Sequence, residues 1–241
     1  MDCLQCGFST AAALAECPQC GAPMPPETQA VPVPNPGAGV PLVGEAQSKK
    51  GMRTGTAFDH LGGGALPLGA ASLLYGEPGA GKSSVAHKLA IRWCQIGGTV
   101  AWYVLEEDLE AVFRRAERLG SHERIVMYQS SHANIAPLMG RHLLSIVDPI
   151  QGWAGSDPWS MVKAAEYFVE QQAHELGRTI LALCRVDKKG RAAGPRDVAH
   201  LFDAVIELAL LRPGEPEGPR VLRVEKNRHG PCGEWEVEWP L

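Results

Sequence analysis

Residues 76–83 read Gly76-Glu77-Pro78-Gly79-Ala80-Gly81-Lys82-Ser83, a complete match to G-x-x-x-x-G-K-[ST]. The flanks constrain the fold further. Residues 71–75 (Ala-Ser-Leu-Leu-Tyr) form a short apolar run that reads as a buried strand. Beyond the motif, Val85, Leu89, Trp93 and Ile96 recur at helical spacing, and Gly97-Gly98 stop the helix. Strand, glycine loop and helix together make a phosphate cradle. The glycines let backbone N–H groups turn inward, and the helix start adds partial positive charge. In such a loop Lys82 reaches the β- and γ-phosphates of ATP, and the Ser83 hydroxyl ligates Mg²⁺. The expected ATP-binding set runs from Gly76 to Ser83 and includes Ser84.

A chain of 241 residues holds one large domain and a small one. Its formal net charge is −4, so any nucleic-acid site has to be a local basic patch. No apolar run approaches the ~18 residues of a spanning helix, so no membrane contact is expected. The start, Met1-Asp2-Cys3, lacks a basic-then-apolar signal, and the expected location is the cytoplasm. In that reducing setting seven cysteines point to metal or free thiols rather than disulfides.

Four of those cysteines make two C-x-x-C pairs, Cys3/Cys6 and Cys17/Cys20, each followed by glycine. Two such knuckles complete a tetrahedral thiolate shell, so residues 1–24 are expected to be a zinc ribbon that folds around Zn²⁺. Residues 25–50, rich in proline and glycine, read as a semi-rigid linker. Residues 51–241 form the main domain.

Within that domain, residues 99–105 read as a second buried strand, ending in Glu106-Glu107-Asp108. Carboxylates at the carboxyl edge of a parallel strand face the ligand crevice. The trio also suits a helix cap, and Asp108 fits that role best, which leaves Glu106 and Glu107 as candidate bases toward the attacking water. Leu109, Val112, Phe113, Ala116 and Leu119 form the stripe of the next helix. Strands follow at 125–128 and 143–148, the latter ending in Asp148 as a Walker B carboxylate that holds the Mg²⁺ shell. A helix is expected over 156–177, opening at Ser156-Asp157-Pro158, then a strand at 179–186. The loop after it carries Lys188, Lys189, Arg191 and Arg196. Composition alone favours a solvated surface loop there, with a phosphodiester contact as the alternative. Strands at 205–211, 221–224 and 234–239 complete the pattern. Lys226 and Arg228, two positions apart, face one ligand if the backbone is extended. In an oligomer that ligand is a neighbour's triphosphate.

Several stretches together resemble the bacterial RadA (Sms) recombination and repair ATPases, within the RecA-like superfamily that also holds KaiC. They are the two cysteine knuckles, Thr54-Gly55 through Gly62-Gly63-Gly64, and Arg115-Ala116-Glu117-Arg118-Leu119-Gly120. Asp148-Pro149-Ile150-Gln151, Lys188-Lys189-Gly190 through Ala193-Gly194-Pro195-Arg196, and Lys226-Asn227-Arg228-His229-Gly230 complete the set. In the last of these His229 stands where the family has Phe. The resemblance implies an α/β RecA-like core with a mainly parallel sheet and DNA-stimulated ATP hydrolysis. It implies a homo-oligomer, usually a hexameric ring threaded on single-stranded or branched DNA, with branch migration during repair and homologous recombination and a recombinase or replication partner. It makes the basic loop DNA-facing, and it makes Lys226 and Arg228 nucleotide or DNA contacts between subunits. The chain stops at Leu241, which implies that the family's C-terminal Lon-protease-like domain is absent. The alternative is a nucleotide-gated adaptor or regulatory RecA/KaiC-like module with little hydrolysis and no motor activity.

Overall fold

The computed structural model describes residues 50–129, 144–154, 158–194, 196–212, 215, 217–237 and 239. They fall in one compact unit, Ser48–Leu241. The ribbon with Cys3, Cys6, Cys17 and Cys20, the linker up to residue 49, and the cap expected at Ser156-Asp157 lie outside the described residues. Among the described residues no three His, Cys, Asp or Glu cluster as metal ligands. No described helix is long and apolar enough to cross a membrane.

The domain opens with a small antiparallel pair, β1 (Gly51–Met52) and β2 (Leu66–Pro67), around a 3-10 helix, Ala57–Gly62. Then come β3 (Ala71–Tyr75), α1 (Lys82–Gln95), β4 (Val100–Val104), α2 (Leu109–Leu119), β5 (Ile125–Tyr128) and β6 (Leu144–Asp148). Two helices follow, α3 (Ile150–Ala154) and α4 (Pro158–Glu166). The second half of the expected helix is a π-helix, Tyr167–Glu175, with a bond from Leu176 N to Gln171 O at its end. The chain closes with β7 (Thr179–Cys184), α5 (Arg196–Leu201), β8 (Ala204–Leu210), β9 (Arg220–Asn227) and β10 (Gly233–Val237).

Eight strands form one sheet in the order β10-β9-β8-β3-β7-β6-β4-β5. From β8 to β5 every pairing is parallel, and β9 and β10 are antiparallel additions. This is a RecA-like α/β core. The parallel strands β3, β4 and β7 are buried along their whole length, which is why they read as unbroken apolar runs. Successive residues still face opposite layers. Leu74 packs with Val85, Leu89 and Trp93 of α1. Leu73 and Tyr75 pack on the other face with Phe168 and Val169.

Phe113 and β9 also depart from the sequence reading. Phe113 is 56% exposed, because Val112 and Ala116 centre the buried stripe of α2 and Phe113 falls beside it. Strand β9 runs on to Asn227, past the expected end at 224. A bulge makes this possible: Val205 pairs with Lys226 and Ile206 with Val224, so Glu225 is the extra residue. The Tyr75 hydroxyl donates to Glu225 Oε1 at 2.6 Å.

Candidate functional site

Six parallel strands end on one edge of the sheet, and the glycine loop leaves β3 there. A Cβ on Gly76 would lie 2.2 Å from the Leu208 carbonyl oxygen, so only glycine lets the loop pass β8. Gly79 and Gly81 have φ of 80° and 99°, in the left-handed region glycine favours. No side chain caps the start of α1, so its first backbone donors are available to an anion.

Lys82 folds back over the loop. Its Nζ donates to Gly76 O at 2.7 Å and to Glu77 O at 3.0 Å. Burial lowers its proton affinity, and nearby Asp148 opposes that. The Ser83 side chain faces Asp148, at the tip of β6, closely enough to lower the pKa of its carboxyl. Burial raises the Asp148 pKa; the neighbouring Ser83 hydroxyl lowers it, Glu107 raises it further, and Arg115 and Lys82 lower it. A hydroxyl and a carboxylate oxygen side by side are the hard donors that Mg²⁺ takes, so the residues present fit that ion.

Glu106 and Glu107 follow β4, and Asp108 caps α2 as expected, accepting from Ala111 N at 2.7 Å. The two glutamates differ in their restraints. Both oxygens of Glu107 accept from Arg115 Nη2, at 2.9 and 2.7 Å, and the Arg115 side chain is only 13% exposed. Glu106 pairs instead with Arg185, whose side chain is 63% exposed. Gly152 of α3 makes room for this turn: a Cβ there would sit 2.6 Å from Leu105 Cβ and 3.0 Å from Glu106 Cγ.

These groups line a cavity of about 930 Å³ together with Arg118, Arg220 and Trp239. The Cys184 thiol on its wall is pushed up to about 11 by burial, which keeps it protonated. Arg115 and Arg118 stood out in the sequence, but their site did not: Glu107 and Arg115 are eight apart, outside helical i,i+4 spacing. Arg185, Gly152, Arg220 and Trp239 carry no local signal.

The basic loop is a short hairpin beside the phosphate loop. Val186 and Ala192 form an antiparallel bridge. The Asp187 carboxylate accepts from the N–H groups of Lys189 and Arg191, at 2.8 and 3.0 Å, and from the Arg191 guanidinium at 2.9 Å. Lys188 and Lys189 are exposed at the tip, while Arg191 braces the turn. Arg196 begins α5, and its side chain is outside the described residues. A Cβ on Gly190 would lie 3.7 Å from Glu77 Oε1, so hairpin and phosphate loop are neighbours.

Lys226 and Arg228 do converge on one target, but within this chain it is the end of α5. Lys226 Nζ donates to His200 O at 2.5 Å and Phe202 O at 2.6 Å. Arg228 donates to His200 O at 3.2 Å and Leu201 O at 3.2 Å, and to the buried Asp203 carboxylate at 3.3 Å. Cations there satisfy the helix's last carbonyls. Neither residue lines the 930 Å³ cavity.

Residues 46–149 match the family model described as AAA domain. The DNA repair protein RadA of Mycobacterium tuberculosis is 29% identical over 72% of this chain and 38% of its own length. That of Streptococcus pneumoniae is 33% identical over 72% of this chain and 43% of its own. That of Aquifex aeolicus is 26% identical over 98% and 56%. The chain thus spans about half the length of these relatives, or less. A crystal structure of a KaiC-like protein from Pyrococcus horikoshii shares the fold, with a TM-score of 0.61, 19% identity, and coverage of 79% of this chain and 95% of that one.

Proposed function

We propose that the chain is a RadA-like protein of the RecA/KaiC superfamily that binds and hydrolyses ATP in the service of DNA repair. The observation that carries this reading is a single cavity that brings Ser83 and Asp148 together beside the glycine loop and Lys82, with two glutamates on its wall. The loop's N–H groups and Lys82 hold the triphosphate, with Ser84 next in line on α1. Ser83 and Asp148 would hold Mg²⁺, which when bound neutralises the phosphate oxygens. Glu106 accepts the proton of the attacking water, because its partner Arg185 is exposed and can release it, whereas Glu107 is fixed by the buried Arg115. Glu106→Gln is accordingly expected to lower turnover by about a hundredfold with ATP affinity kept, and Glu107→Gln by less. The reverse order in steady-state assays would exchange the two roles.

The hairpin supplies the DNA contact through Lys188 and Lys189, with Arg191 and Arg196 behind them. Lys226 and Arg228, bound to α5 in the isolated chain, reach a nucleotide only in an assembly such as a ring. The ribbon at 1–24 belongs to the same reading, with Zn²⁺ on its four thiolates. The test is ATP hydrolysis with and without single-stranded DNA, beside DNA affinity across a salt series. Stimulation is expected, and Lys188→Glu with Lys189→Glu should flatten the log–log salt slope by about 2. A chain that hydrolyses ATP slowly and neither binds DNA nor responds to it is instead a nucleotide-gated adaptor.

A further inference from the structure

The ATP reading gives no task to one end of the cavity. Sheet order puts β6 and β4 beyond β7, so Asp148, Glu106 and Glu107 stand on one side of the phosphate loop. On the other side the sheet continues from β3 through β8 to β9 and β10. Because β9 is antiparallel to β8, it starts on the loop's edge, with Arg220 opposite Leu210. Strand β10 returns to that edge, where Val237 pairs with Arg220. Trp239, two residues further on, meets the loop itself: a Cβ on Gly81 would lie 2.5 Å from its Cη2 atom. The Arg220 guanidinium carbon lies 3.9 Å from the centre of the Trp239 ring. Arg220 is 2% exposed, and its Nε donates to the Ala80 carbonyl at 3.1 Å. A cation–π stack is therefore tied to the backbone of the phosphate loop and forms part of the cavity wall.

We propose that Trp239, backed by Arg220, is the shelf on which the base of the bound nucleotide stacks. This rests on the cavity being the ATP site, and it deepens that reading. Lys82, Ser83 and Asp148 fix the triphosphate end of the ligand. The nucleoside then extends away from the carboxylates, toward β9 and β10, where the indole offers a flat π surface. Stacking of this kind accepts any base, so the shelf distinguishes a nucleoside triphosphate from a bare polyphosphate.

The experiment is calorimetric titration of the full chain with Mg-ATP and, separately, with magnesium and inorganic tripolyphosphate, for the wild type and Trp239→Ala. ATP affinity is expected to fall about tenfold while tripolyphosphate binding stays unchanged. ATP affinity that is unchanged, or tighter because the indole had been blocking the cavity, overturns the shelf and leaves the ATP site standing. A wild-type chain that binds neither ligand overturns the ATP reading itself. If the alanine variant loses both ligands through misfolding, Trp239→Leu, which fills the space without a π face, is held to the same comparison.

Discussion

Replacing Lys82 with alanine is expected to cut ATP turnover at least about a hundredfold, the scale of losing one fixed charge-stabilising donor at a transferring phosphoryl group. The structure makes the effect specific. Among the described residues Lys82 donates to Gly76 O and Glu77 O, both in its own loop, so its removal leaves the hydrophobic layers of the sheet untouched. The unfolding midpoint should therefore move little while kcat collapses. Thermal denaturation and steady-state hydrolysis on the same preparation separate the two quantities. Hydrolysis that persists at the wild-type rate would place the chemistry elsewhere and remove the ground for assigning Ser83 and Asp148.

The largest loss of stability is expected at Asp203, away from the cavity. Its carboxylate is 2% exposed and accepts from Ala71 N at 2.9 Å, His174 Nε2 at 3.1 Å and Arg228 Nη1 at 3.3 Å. His229 Nε2 lies 3.7 Å from it. One side chain thus joins the start of β3, the π-helix and the segment after β9. Asp203→Ala leaves the buried Ala71 N–H without its acceptor and removes the counter-charge of Arg228. Deleting one partner of such a set costs about 3 kcal/mol. For a domain of this size that lowers Tm by roughly 10 °C. Asp203→Asn, which keeps the shape and one acceptor oxygen, should recover part of the loss. A melting temperature unchanged in the alanine variant would show that these contacts do not hold the strands together.

Features encoded within a few residues were legible in the sequence. The glycine loop, the apolar strands β3, β4 and β7, and the Asp108 cap all arise from local chemistry. The alternation that puts Lys226 and Arg228 on one face was legible too, but their target was not, because α5 comes beside them only through the strand order. Strand order is also what sets Arg185 against Glu106 and Arg220 against Trp239. The change from α- to π-helix at Tyr167 leaves the spacing of apolar residues almost unaltered, so periodicity is blind to it. Phe113 shows the other limit: a wide stripe tells which side of α2 is apolar, but not which residue at its margin stays in water.

Strand β10 closes the antiparallel end of the sheet, with Glu234 and Glu236 exposed and Trp235 and Val237 turned inward. Its free backbone groups would otherwise be a template for any extended chain. A strand arriving there has to bring its own side chains alongside two solvated carboxylates and strip part of their water. This margin therefore resists fibril-like growth.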